Sequence, residues 1–314
     1  MAPSQRLPDV DDAVITDAAK KIHFIGVGKM GLPMARHFLA AGHAVSVSDA
    51  SAERLQLAVA QGLKACDDAA SAIAGAEVIF SSLPHDDALR TVSEQVARSA
   101  RRGSTFVDTS TVSQQASRYA AAQCDAAGVH YLRTTVSGNN KMAEAAQLTV
   151  MASGPRASYD ALLPVLGLLG PQLFYLGDAE QARLMKLVVN LLIAQTSAML
   201  SEGLALGRKG GLDWHDMWRV LSASAVGSPI LKAKAVQLSE RDFTPTFTVE
   251  QMIKDLGLIL AAGAASLVPL AQTAMTLQLM QAAAAQGDAL EDYASIIKAV
   301  ERSAGLSVDL ELAP

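Results

Sequence analysis

Between Lys21 and Leu176, short continuous apolar runs alternate with Ala-rich stretches of helical pattern. Runs of this kind read as buried strands, and the stretches between them as helices covering both faces of a mostly parallel sheet. The predicted strands are Ile22–Val27, Ala44–Ser48, Val78–Ser81, Thr105–Asp108, Tyr131–Val136, Thr149–Ala152 and Leu173–Leu176; helices such as Met30–Ala41 and Gln114–Ala127 lie between them. After Gly177 the strand pattern stops. Asp178 is a plausible N-cap for a long helix from about Ala179 to Lys209, and breaks at Gly210-Gly211, Ser228-Pro229, Thr244-Pro245 and Val268-Pro269 punctuate further helices to about residue 310. The pattern therefore predicts a loose extension over 1–20, an α/β unit over 21–178 and an all-helical unit over 179–314, joined by the long helix.

Composition narrows the class. A chain of 314 residues is long enough for two full cores. Half of it is hydrophobic but only 4% aromatic, so the interior is built from Ala, Val, Leu and Ile. A net charge of -5 offers no basic field for a phosphate backbone, which argues against nucleic acid as a partner. Cys66 and Cys124 lie far apart with no His or Cys at ligand spacing, so neither a disulfide framework nor a metal site is expected, and a reducing cytoplasm fits. The first twenty residues lack the basic and apolar regions of a signal peptide. The most apolar stretch, Leu187 to Leu206, is interrupted by Asn190, Gln195 and Glu202, which suits a helix buried in protein better than one in lipid, so no membrane partner is expected.

Two sites carry chemistry. Gly26-Val27-Gly28-Lys29-Met30-Gly31 follows a predicted strand and opens a predicted helix. In that context the first glycine serves the tight turn, the second admits a pyrophosphate, and the third lets helix and strand pack closely, with the helix N-terminus facing the phosphates. Asp49 follows the second strand, 23 positions after Gly26, near the offset at which a carboxylate accepts the ribose hydroxyls of NAD and repels the 2′-phosphate of NADP. Asp49 as a simple cap of the next helix is the alternative. On the long helix Lys186 and Asn190 are four residues apart and share one face. A Lys in the apolar run Leu184-Met185-Lys186-Leu187-Val188-Val189 is set to lose hydration and with it some of its basicity, which suits proton transfer; snorkelling to solvent is the ordinary fate of such a Lys.

These residues resemble the β-hydroxyacid dehydrogenase family, whose members include 3-hydroxyisobutyrate dehydrogenase and tartronate semialdehyde reductase. Phe24 through Ala35 with Ala41-Gly42-His43 is like its cofactor loop, Val107 through Ser113 like its Asp-x-Ser-Thr segment, and Val136-Ser137-Gly138 like its substrate loop. Lys186 with Asn190 is like its catalytic helix, and Phe247 with Lys254-Asp255 like a late motif, so the resemblance spans about residues 21 to 305. It implies a Rossmann-type N-terminal domain, an all-helical C-terminal domain and an active site between them. It further implies that Lys186 is the general acid/base, that Asn190 holds Lys and substrate oxygen in register, and that Ser137 and Gly138, with Asn139 beside them, bind the substrate carboxylate. Thr111 would sit near the nicotinamide, Leu83 and Pro84 would line the cofactor groove, and Lys254 would close over it. Taken singly, these positions are equally compatible with a turn, a helix cap, a strand end and a solvated face.

The chain departs from the family at Arg133-Thr134-Thr135, where Asp-Ala-Pro is usual, and at Asn139, where a second Gly is usual. Arg133 is a candidate fork for a second acidic group on the substrate, or alternatively a partner of a neighbouring helix or subunit. Asn139 is tolerant enough of positive φ to keep the loop. The reading is therefore an NAD-dependent oxidoreductase of small 3-hydroxy acids or their semialdehydes, most simply a homodimer or homotetramer because the long helix lacks a polar face. The alternatives are an NADPH-dependent aldehyde or imine reductase of the same superfamily, and a catalytically inactive NAD-binding module; Lys186 argues against the imine reductase, and Lys186, Asn190 and Ser137 with the acidic balance argue against the inactive module.

Overall fold

A computed structural model describes residues 19–308, so most of the expected N-terminal extension lies outside the described residues. Eight strands form one sheet: β1 (Lys21–Ile25), β2 (Ala44–Ser48), β3 (Lys64–Ala65), β4 (Val78–Ser81), β5 (Thr105–Asp108), β6 (His130–Ser137), β7 (Thr149–Ser153) and β8 (Gln172–Tyr175). Their order is β3-β2-β1-β4-β5-β6-β7-β8, and every neighbouring pair is parallel except β6 with β7. The predicted strands are all present. The additional β3 has two residues, too short for any hydrophobic period to register. Between the strands run α1 (Gly31–Ala40), α2 (Ala52–Ala60), α3 (Ala69–Gly75), α4 (Asp86–Ser99), α5 (Gln114–Ala127), α6 (Asn140–Glu144) and α7 (Arg156–Gly167). One apolar core, with Phe24, Phe38 and Phe80, fills one side of the sheet; a second, with Ile79, Phe106 and Cys124, fills the other. Strand order reverses at β1, so the carboxyl ends of β1 and β4 diverge into the crevice where ligands bind in open α/β sheets.

The remainder is helical: α8 (Gln181–Lys209), α9 (Trp214–Ala223), α10 (Pro229–Leu238), α11 (Val249–Ala265), α12 (Ala271–Ala283) and α13 (Ile296–Ser303). The N-cap of α8 is Glu180 rather than the expected Asp178, and it makes no side-chain cap. By length and apolarity α8 is also the one helix among the described residues long enough to cross a bilayer. It lies instead against β6 and β7 at its start and against α11, α12 and α13 beyond, where Leu187, Ala194 and Ala198 enter the helical core. Its other side leaves Leu184, Met185, Val188, Leu192, Met199 and Leu206 exposed. The helix is thus apolar all round, as its sequence predicts, and only one side is covered.

Candidate active site

The crevice is built first from glycines. Gly26 leaves β1 at φ 91°, and a Cβ there would stand 2.4 Å from the Ser82 carbonyl oxygen; a Cβ on Gly31 would stand 1.9 Å from that of Gly26. Both are demanded by packing. A Cβ on Gly28 would meet only the Arg54 guanidinium, at 3.8 Å, so this glycine leaves an open backbone surface. There α1 begins with no side-chain cap on Met30 and no acidic residue in its first turn, so its leading N–H groups face the opening. Val27 is buried, Met30 half-buried and Lys29 exposed along the same loop. Asp49 is held beside it: its Oδ2 accepts from the Val27 N–H at 2.8 Å and its Oδ1 from the Ser51 N–H at 2.8 Å. The cap of α2 is Ser51, not Asp49. Each Asp49 oxygen retains accepting capacity, so cradle and carboxylate fit the pyrophosphate and adenosine ribose of a dinucleotide.

The next loops follow β4 and β5. The Leu83 N–H donates to Ser110 Oγ at 2.8 Å. Lys254, on α11, donates from Nζ to the carbonyl oxygens of Thr111 at 2.8 Å and Pro84 at 3.3 Å, and sits 3.0 Å from Asp255 Oδ1. One lysine of the helical region thus bridges both loops at the crevice. The cap of α5 is Ser113, not Thr111.

Lys186 and Asn190 stand on α8 facing α11. Asn190 Nδ2 donates to Asp255 Oδ2 at 2.6 Å, and both side chains are buried. Lys186 is half-buried, and no side-chain hydrogen bond among the described residues holds its ammonium. Burial lowers its basicity below the ordinary lysine range, Asp255 opposes that fall and Lys254 reinforces it. The Asn190 amide is therefore spent on Asp255 rather than on Lys186.

Substrate-side positions follow from how α8 lies on β6. Arg133 Nε donates to Glu180 at 2.8 Å and Thr135 Oγ1 to the Ala182 carbonyl at 3.0 Å, so advancing two residues along the strand advances two along the helix. Ser137, half-buried at the end of β6, is the next residue on that strand face, and Lys186 lies one turn beyond Ala182 on α8. Gly138, at φ 136°, has no room for a side chain: a Cβ would stand 2.7 Å from Leu148. Asn139 remains extended at φ -102° and caps α6 through the Met142 N–H, because the positive φ falls on Gly138 and not on the Asn. Arg133 does not face the crevice. It is buried on Glu180, with its guanidinium over Tyr131, so the expectation of a fork for substrate fails: a nearer carboxylate already occupies it.

The sequence reading missed Arg183. It is 1% exposed and ion-pairs with Asp108, also fully buried. A second charge in the first turn of an apolar helix was the available signal.

Comparisons with known proteins bear on the family and the fold. A family model described as the NAD binding domain of 6-phosphogluconate dehydrogenase matches residues 21–177, and one described as the NAD-binding of NADP-dependent 3-hydroxyisobutyrate dehydrogenase matches residues 181–300. A 2-(hydroxymethyl)glutarate dehydrogenase of Eubacterium barkeri is 35% identical, covering 92% of this chain and 97% of the relative. Glyoxylate/succinic semialdehyde reductase 1 of Arabidopsis thaliana is 28% identical over 90% and 99%. The structure of the Mycobacterium tuberculosis 3-hydroxyisobutyrate dehydrogenase with L-serine superposes at TM-score 0.81, with 27% identity over 90% of this chain and 99% of that one.

Proposed function

We propose a reaction for this chain from one premise: it belongs to the β-hydroxyacid dehydrogenase family, and is an NAD(P)-dependent oxidoreductase acting on CH–OH groups. The reaction is the reversible oxidation of a small 3-hydroxy acid to its semialdehyde. What the nicotinamide supplies when bound is a hydride acceptor or donor. Lys186, neutral, takes the hydroxyl proton onto Nζ in oxidation; as the ammonium it returns that proton to the carbonyl oxygen in reduction. Asp255 keeps the protonated form accessible despite burial, and Asn190, fixed on Asp255, has a second amide hydrogen to donate to the substrate oxygen. The Ser137 hydroxyl and the Gly138 N–H suit the substrate carboxylate. Lys254 excludes water where the β4 and β5 loops meet α11.

The observation that carries this reading is the Lys254-Asp255 pair. One residue spans the cofactor-side loops while its neighbour faces Lys186 and holds Asn190, so the amine and the dinucleotide crevice share a single anchor.

We assign NAD in preference to NADP, because the Asp49 carboxylate, held beside the glycine loop, would repel a 2′-phosphate. The names of the relatives support the substrate class: 2-(hydroxymethyl)glutarate and succinic semialdehyde both pair a carboxylate with an oxidisable or reducible carbon. We assign the exposed apolar side of α8 to a second copy of the chain, as a solvent-facing helix would carry polar residues there. Light scattering then gives a dimer or larger assembly, and a monomer at all concentrations overturns that assignment.

The test is the initial rate of NAD and NADP reduction across 3-hydroxyisobutyrate, glycerate, 3-hydroxypropionate, 4-hydroxybutyrate and 2-(hydroxymethyl)glutarate. One acid turns over well with NAD, and Lys186→Ala loses about 10²- to 10⁴-fold in kcat with NADH binding nearly intact. Silence across the set, or near-normal turnover by the variant, overturns the reading.

A further inference from the structure

The buried Arg183 side chain lies outside the chemistry assigned above, yet its partners border every part of it. Its guanidinium pairs with Asp108 at the end of β5, donates to the Ser110 carbonyl at 2.5 Å and to Tyr131 Oη on β6 at 2.9 Å, and reaches Ser117 Oγ on α5 at 3.3 Å. Asp108 in turn accepts from Ser81 Oγ at the end of β4 at 2.5 Å and from Ser110 Oγ at 2.6 Å, the same hydroxyl that receives the Leu83 N–H. Burial pushes the Tyr131 phenol up to about 12, so it stays protonated. The fork therefore ties α8, three residues before Lys186, to the loop that carries Thr111 and to the strand end that leads to Leu83 and Pro84.

A buried ion pair is a poor source of net stability: well-packed apolar replacements often do as well, while removing one partner costs several kcal/mol. Its distinctive property is directional. Five N–H donors in a rigid plane fix distances to several acceptors at once, which neither an apolar contact nor a lysine can do. A displacement of about 1 Å between an acid/base and the reacting carbon costs about 10²-fold in rate.

We infer that Arg183 is the positioning residue of this enzyme: through Asp108 and Ser110 it sets the catalytic helix, and so Lys186, in register with the loops that line the nicotinamide. The inference rests on the reading of Lys186 as the acid/base. It makes the buried Arg183–Asp108 pair a second tie between α8 and these loops, beside the one Lys254 and Asp255 make from α11.

The test compares wild type with Arg183→Lys, which keeps the charge opposite Asp108 and gives up the fork, and with Asp108→Asn, which keeps the shape. Each is normalised to the fraction that binds NADH. Expected for Arg183→Lys are a kcat lower by about 10²-fold, a cofactor KM within about threefold of wild type, and a larger primary deuterium isotope effect as hydride transfer becomes limiting. A second readout needs no turnover: the pH dependence of Lys186 acylation, followed by peptide mass spectrometry, moves toward that of an ordinary lysine as α8 loosens and Lys186 wets. Asp108→Asn shows the same changes in smaller measure. A lower melting temperature with kcat, isotope effect and acylation profile of wild type, in both variants, makes the pair merely structural and overturns the inference. Should Lys186→Ala retain turnover, the acid/base reading falls separately, and an unmoved acylation profile in Arg183→Lys still overturns the positioning role.

Discussion

Burial pushes two basic side chains in the same direction, one inside the sheet and one on the long helix, with different results. His23, on β1 just before the glycine loop, is fully buried, and its ring nitrogens meet uncharged groups of β2, among them Ser46 Oγ at 2.9 Å and Ser48 Oγ at 3.1 Å. Its pKa falls to about 4, so it stays neutral across the physiological range. Lys186 is pushed down by the same loss of water, but a carboxylate and a second ammonium face it from α11. Hydroxyl partners leave a buried base inert, whereas charged partners keep both of its protonation states within reach. The corner at the glycine loop accordingly relies on backbone N–H groups and the Asp49 carboxylate, and the corner at Lys186 on charges carried on two helices.

That contrast breaks most severely at Gly31. Gly31→Ala places a methyl group against the Gly26 carbonyl and should cost at least about 4 kcal/mol in urea unfolding, with NADH binding lost alongside. Next comes His23. The unfolded chain binds its proton below about 6.5 and the folded chain only near 4, so stability is full above 6.5 and falls as pH drops through that window. The expected loss is about 3 kcal/mol, and His23→Gln should flatten the difference between unfolding at pH 7 and at pH 4.5. At the other corner, Asp255→Asn keeps the shape that receives Asn190 but removes the charge that opposes Lys186 burial. Lys186 then loses its proton at lower pH, so the rising limb of the oxidation rate moves toward acid, with kcat down about tenfold. The smallest effect is at Asp49: Asp49→Asn should weaken NAD by about three- to tenfold and narrow its advantage over NADP, measured by KM for each.

The backbone corner was the more legible in sequence. A strand, GxGxxG and a carboxylate after the second strand describe local geometry, and local geometry is what periodicity and spacing encode. Lys186 and Asn190 were legible as a helical face for the same reason. The partners of those residues were not. Asp255 meets Asn190 across 65 positions and Arg183 meets Asp108 across 75, separations that spacing alone does not encode. Arg133 leaves two readings open in sequence, a fork for substrate or a partner for a neighbouring helix, and only the fold shows that Glu180 at the start of α8 takes it.

The buried guanidinium also has a mechanical reading. With α8 pinned at Arg183, Lys186 lies about 4.5 Å along the axis from the fulcrum, and Lys209 about 39 Å from it. A sideways shift of about 1 Å at the far end then reaches the amine as about 0.1 Å. Repacking along the outer two-thirds of the helix is in this way geared down before it arrives at Lys186, which leaves that surface free to diverge while the proposed acid/base keeps its aim.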